Sequence, residues 1–140
     1  MATSDGVYEE LSVEECLELM GAHHFGRVGV VVDGEPVIFP VNYALDGDEV
    51  VFRAAPGSLL SGASLGRVSF EVDEVEESGR TGWSVVVQGF GNEVTSTIDE
   101  RSEHIRALRL EPWVPGEHDH WIGIMPRSIT GRRLRRTASS

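Results

Sequence analysis

The stretch "GRVGVVVDGEPVIFPVNYALDGDEVVFR" (residues 26–53) decides the fold. Three apolar runs are separated by Asp33-Gly34 and Asp46-Gly47. An Asp-Gly pair between apolar runs is a strong short-range hairpin signal, because both turn residues take positive φ at little cost there. The spacing therefore predicts three consecutive antiparallel strands. Pro36 and Pro40 fall inside the middle run. Proline brings no N–H to a ladder, so the pattern predicts an edge, a bulge or a bend near Pro40.

Upstream, "LSVEECLELMG" (residues 11–21) reads as a helix. Ser12 and Glu15 have capping-box spacing, and Gly21 is a suitable stop. Val13, Cys16, Leu17 and Met20 share one apolar face, which makes Cys16 a core thiol. Downstream, residues 58–65 read as a short helix closed by Gly66, followed by a strand in "RVSFEVDEVEE" (67–77). The loop "SGRTG" leads into a long strand, "WSVVVQGFGNEVTS" (83–96). "TIDERSEHIRALRL" (97–110) has Thr97 as N-cap, acids in its first turn, and an apolar stripe of Ile105, Leu108 and Leu110. A proline-rich loop precedes a last strand, "HWIGIMP" (120–126). About six strands joined early by tight hairpins, with three short flanking helices, predict a mainly β antiparallel barrel and not a doubly wound sheet.

The 140 residues suit one domain, with 40% hydrophobic and 25% charged residues. A net charge of -11 argues against nucleic-acid binding, which requires a basic surface. There is no lysine, so every cationic role falls to twelve arginines. Four of these lie in "RRLRRTASS" (132–140), which carries no acid; residues 1–131 then read as the folded domain and 132–140 as a basic C-terminal tail. Cys16 is the single cysteine, so no internal disulfide forms and a reducing compartment fits. No apolar run reaches membrane-spanning length, and "MATSDGVYEE" lacks the regions of a signal peptide. The expectation is a cytoplasmic protein without membrane or nucleic-acid partners.

The chemistry centres on "FRAAPGSLL" (52–60). A helix N-terminus binds phosphate through its unpaired N–H groups, with Gly57 allowing close approach and Ser58 adding a hydroxyl. Arg53 can aim a planar fork of donors at the same anion. A capped helix beside an arginine salt bridge satisfies the same spacing equally. "HDH" (118–120) and His23-His24 do not assemble three converging ligands by spacing, so no metal site is expected. His104 falls on a charged helix face. No serine–histidine–acid or cysteine–histidine arrangement stands out, and the acids of "EVDEVEE" alternate with valines as on a half-exposed strand.

"PVNYALDGDEVVFR", "APGSLL", "VSFEVDEVE" and "TGWSVVVQG", in this order, with the closing "EPWVPGEHDHWIGIMPRSITGRRL", resemble the pyridoxamine 5'-phosphate oxidase-like FMN-binding split-barrel family, in its small actinobacterial form. The likeness spans roughly residues 12–134. It implies a homodimer of six-stranded antiparallel split barrels with FMN at the interface and a small-molecule substrate. It places Pro40, Val41, Asn42 and Tyr43 along the flavin ring edge, partly through backbone groups. Phe52 and Arg53 would lie near the ribityl chain and phosphate, and Gly57 and Ser58 would complete the cradle. Trp83, Val87, Gln88 and Trp121 would cover the ring from the same or the opposite subunit, with Trp83 and Tyr43 shaping the substrate pocket. One departure matters. Relatives of this motif read Gly-Ser-Lys where this chain has Gly57-Ser58-Leu59. Loss of one charge-assisted contact weakens binding by roughly ten- to a hundredfold unless Arg67 or another arginine compensates. The resemblance thus implies an FMN-dependent oxidoreductase passing hydride or electrons to a small acceptor. The alternatives are a non-catalytic carrier of flavin, deazaflavin or haem, and a cofactor-less dimeric scaffold.

Overall fold

The computed structural model of the chain describes residues 6–54, 64–94, 108, 110 and 120–136. It contains β1 (Gly6–Leu11), α1 (Val13–Gly21), β2 (Phe25–Val32), β3 (Glu35–Asp46), β4 (Glu49–Ala54), β5 (Ser64–Glu76), β6 (Thr81–Glu93) and β7 (His120–Arg136). All strand pairings are antiparallel, in the order β1-β7-β4-β3-β2-β5-β6, and a further β7–β6 pairing closes β2 to β7 into a six-stranded split barrel. β1 is a seventh strand outside that ring. It pairs with Gly131–Arg136, continuing the edge of β7 that β4 occupies at His120–Ile124.

The two Asp-Gly signals give hairpins by different means. At the first, Asp33 and Gly34 both take positive φ (50° and 80°), as a type I′ turn requires. At the second, Asp46 pairs with Glu49 inside the ladder, so the turn residues are Gly47 and Asp48. Gly47 alone has positive φ there (64°), the pattern of a II′ turn. Pro36 and Pro40 do sit on an edge. Tyr43 N–H donates to the His24 carbonyl, so alternation sends the odd-numbered N–H groups of β3 to β2. The even-numbered positions, both prolines included, face the other side, where Glu35–Val41 have no partner strand among the described residues.

Gly66 is not a helix stop. Ser64 and Leu65 already belong to β5, and Gly66, at φ 69°, marks an irregularity in the β5–β6 register. A left-handed glycine ends a helix or makes a bulge equally well, so the residue type alone could not separate the two. Residues 58–63 of the expected short helix lie outside the described residues, as do 97–107 and 109 of the later one; Leu108 and Leu110 are not helical. Arg132–Arg136, set apart by their charge, are the last five residues of β7.

α1 carries the predicted capping box: Ser12 Oγ accepts from Glu15 N–H, and Glu15 Oε1 accepts from Ser12 N–H, each at 3.1 Å. Its Cys16 and Met20 are fully buried against the barrel, where a Cβ on Gly131 would come within 2.5 Å of Cys16 Sγ. Burial pushes the Cys16 thiol up, as befits a core group. Tyr43, Phe52, Phe70, Ile122 and Ile124 fill the interior. Each such side chain contributes about 1.5–3 kcal/mol through burial. The barrel is split where β2 meets β5, because only Arg27–Gly29 pair with Ser69–Glu71. Arg27 reaches Glu71 and Asp73 (3.4 and 3.6 Å) across that opening. Among the described residues, no helix is long and apolar enough to cross a membrane.

Candidate functional site

β4 alternates with consequence. Val50, Phe52 and Ala54 point into the main core, while Val51 packs in a small outer cluster with Val94 and Leu110 that also takes in Ala44, Leu108 and Trp121. Arg53 emerges beside that cluster, directly opposite Trp121 in the β4–β7 register. Its guanidinium carbon lies 5.0 Å from the Trp121 ring centroid, and Nη1 donates to the Leu110 carbonyl at 3.0 Å. Val94 N–H donates to the Trp121 carbonyl at 2.7 Å, and His120 pairs with Glu93 at 2.8 Å beside it. These contacts hold Arg53 in one orientation where the chain leaves β4 for residues 55–63. A planar guanidinium fixed on an indole is suited to a phosphate, because its fork matches phosphate oxygens and needs no reordering. That donor chemistry fits the phosphate end of a nucleotide-like cofactor. Gly57, Ser58 and Leu59 lie outside the described residues.

The β3 candidates divide between surface and core. Pro40 is exposed at the open edge, Asn42 is half-buried, and Val41 and Tyr43 are buried. Tyr43 donates from its hydroxyl to the Met20 carbonyl at 2.5 Å and packs edge-on to Phe70, ring centroids 4.8 Å apart. Burial pushes its phenol well above the usual range. Its side chain therefore ties α1 to the barrel, and only its backbone remains for a ligand. Phe52 and Val87 are likewise fully buried in the core.

Trp83 stands elsewhere. It pairs with Arg133 on β7, while Arg53 pairs with Trp121, twelve residues earlier on the same strand. At about 3.3 Å per residue this is up to roughly 40 Å of strand. One protomer thus brings Arg53 and Trp121 together but leaves Trp83 at the far end. There Trp83 meets His23 edge-on, with ring centroids 4.9 Å apart. His23 Nδ1 lies 2.8 Å from the Leu19 carbonyl oxygen and Nε2 lies 2.8 Å from a Glu74 carboxylate oxygen. Both neighbours only accept, so this setting favours the protonated ring, which can donate from both nitrogens. The Glu74 hydrogen bond, then the Leu19 carbonyl, raise the His23 pKa.

Gln88 is exposed and lines a cleft of about 640 Å³ on the outer barrel face, together with Arg67, Ser69, Phe90, Arg127 and Ile38. Arg127 has no role in the sequence reading. What aims it is a bulge that pairs Gly89 with Pro126 but Gln88 with Ser128, and nothing local in the sequence announces it. Among the described residues, no three His, Cys, Asp or Glu side chains come together as metal ligands.

The six-stranded antiparallel split barrel closed by the β6–β7 pairing defines the fold class. The chain belongs to the pyridoxamine 5'-phosphate oxidase family, whose model matches residues 12–133. It is 33% identical over 131 residues to the uncharacterized protein Rv0080 of Mycobacterium tuberculosis, covering 89% of this chain and 84% of that one. Among solved structures, it is similar to the FAD binding protein from Mycobacterium smegmatis: 36% identity, TM-score 0.75, covering 91% of this chain and all of that one. A FAD-binding protein from Mesorhizobium loti gives 26% identity and a TM-score of 0.72, covering 94% of this chain and 99% of that one.

Proposed function

We propose that this chain is a flavin-dependent oxidoreductase that binds its cofactor between two copies of itself. The observation that carries the reading is Arg53, locked on Trp121 and the Leu110 carbonyl where β4 runs into Gly57-Ser58. Family membership and the similarity to two FAD-binding proteins support it. When bound, a flavin supplies reversible hydride and single-electron transfer.

The chain's own residues bind and orient. Arg53 holds a phosphate, and Trp121 keeps the guanidinium flat and in place. Pro36 and Pro40 remove N–H donors from the open β3 edge, which keeps another strand from pairing there and leaves room for a flat ligand. Trp83 reaches the same cofactor only from the second copy, because its own protomer keeps it at the far end of β7. Leu59 stands where relatives of the motif carry a lysine for the FMN phosphate, and the similarity to two FAD-binding proteins supports FAD as the flavin bound.

The test is the visible spectrum of the purified protein with mass identification of what denaturation releases. The expected result is stoichiometric flavin, FAD in excess over FMN, and loss of bound flavin in Arg53→Gln with the fold retained. A colourless protein that takes up neither FMN nor FAD overturns the reading. Oxidation of reduced nicotinamide under air then separates an enzyme from a carrier, since a carrier shows no turnover.

A further inference from the structure

The outer cleft stands apart from the acidic chain in its charge. The chain carries 23 acids in 140 residues, about one in six, so fourteen lining residues at that rate would include two or three carboxylates. They include none. Instead the cleft holds two arginines, Arg67 and Arg127, with Gln88, Ser69 and Ser128 as neutral hydrogen-bonding groups. Its remaining walls are apolar, formed by Val31, Pro36, Ile38 and Phe90, with Val31 68% and Ile38 70% exposed. Neither arginine is paired with a carboxylate among the described residues, although Arg27, Arg133 and Arg135 all are.

The backbone is built to place these groups. β6 lies between β5 and β7, and its Gln88 stands opposite Ser69 on one side and Ser128 on the other. Arg67 is opposite Phe90. Arg127 is the extra residue of the bulge, unpaired in register between Pro126 and Ser128. Bulges of this kind re-aim a side chain. The bulge also requires glycine at position 89, where a Cβ would collide with the Met125 carbonyl oxygen. Two like charges facing one apolar, acid-free cleft repel each other and gain from an anion between them.

We propose that this cleft binds an organic anion with a flat or apolar body and a carboxylate or phosphate head. The head is held by Arg67 and Arg127, and the body lies against Ile38, Phe90 and Pro36. The assignment goes beyond the flavin reading, which puts the cofactor's phosphate on Arg53, but it shares Pro36 at the open β3 edge and Gln88 with that reading, so the test must separate the two ligands.

The experiment compares two fluorescent probes of the same body on the protein as purified. 1-Anilinonaphthalene-8-sulfonate carries an anionic head; N-phenyl-1-naphthylamine does not. The sulfonate is expected to bind at least tenfold more tightly. Arg67→Gln and Arg127→Gln are each expected to weaken it about tenfold while leaving the neutral probe unchanged, since each removes one charge-assisted contact. Inorganic phosphate should compete with the sulfonate only. Ile38→Ser should weaken both probes, which separates the wall from the head site. Both arginines are exposed, so the variants should fold, and circular dichroism checks this. Equal affinity for the two probes, or sulfonate binding unmoved in the double variant, overturns the proposal. Flavin content is measured on the same samples: flavin lost in the Arg67 and Arg127 variants would make the cleft part of the cofactor site and overturn a second ligand, whereas flavin absent throughout with the probe results intact would overturn the flavin reading alone.

Discussion

Replacing Tyr43 with phenylalanine removes one oxygen and tests whether this side chain belongs to the core or to a ligand. The hydroxyl donates to the Met20 carbonyl at 2.5 Å in a buried setting. A buried neutral hydrogen bond contributes about 0.5–1.5 kcal/mol net. The carbonyl would not be orphaned, because His23 N–H also donates to it at 3.2 Å. Packing of the ring on Phe70 is retained. The expected loss is therefore about 1 kcal/mol. For a chain of this size that lowers the urea midpoint by about 0.5 M with an unchanged slope, and the melting temperature by about 3 °C. Tyr43→Ala also deletes the ring and should cost about 3–5 kcal/mol. The assay is urea unfolding at fixed protein concentration, with flavin content read on the same preparations. Phenylalanine should lower stability and leave flavin content unchanged. An undiminished midpoint together with lost flavin would refute the assignment, since the hydroxyl would then be facing the cofactor and not α1.

His23 gives a pH dependence of definite sign. Its folded pKa is raised, so its stabilising contribution is complete below the ordinary histidine range and is lost as pH rises through the folded value. Glu71 acts in the same direction: burial first, then its hydrogen bond with Asp73, pushes it up to about 7. The folded state binds that proton more tightly than the unfolded chain, so stability falls as pH rises from about 4.5 to 7. Urea midpoints measured from pH 5 to 9 should thus decline toward alkaline pH, and His23→Gln with Glu71→Gln should flatten the curve. A midpoint that rises over this range would contradict both assignments. Gly131→Ala places a methyl against Cys16 Sγ and Ser84 O, and should destabilise by about 1–3 kcal/mol in calorimetry. Leu59→Lys should raise FMN affinity by roughly ten- to a hundredfold in a titration. If FMN affinity does not move, position 59 does not face the phosphate.

Much of the barrel was legible because its signals are local. The capping box of α1 lies within four residues, and the Asp-Gly hairpins are decided by backbone freedom at adjacent positions. Pro36 and Pro40 marked an edge for a reason that holds without knowing the partner strand. β1 was not legible. "GVYEEL" offers no clean alternation, and its partner lies 120 or more residues away. For the same reason Arg132–Arg136 read as a tail by composition. In the fold Arg135 makes two bonds to Glu9 (2.9 and 3.0 Å), and Arg132 lies 5.7 Å over the Tyr8 ring. Within the candidate site, Arg53 stood out by type and position. Its Leu110 carbonyl partner did not, because backbone acceptors carry no sequence signature. Tyr43 and Trp83 were placed by resemblance, and strand direction alone sent one into the core and the other to the far end of β7.

β7 sets an order of events for the newborn chain. Three strands, β1, β4 and β6, depend on it for a neighbour, and it is synthesised after all of them. From completion of β6 at Glu93 to the end of β7 at Arg136, a ribosome adding about 5–20 residues per second takes roughly 2–9 s. Throughout that interval the edges that β7 will later cover are open, and open edges are templates for pairing with other chains. The ring cannot close before β7 is made, and the closure joins segments far apart in sequence, which slows folding further. Yield in a cell should therefore respond to translation speed over residues 94–136 and to chaperones that shield strand edges, more than to changes in the early hairpins.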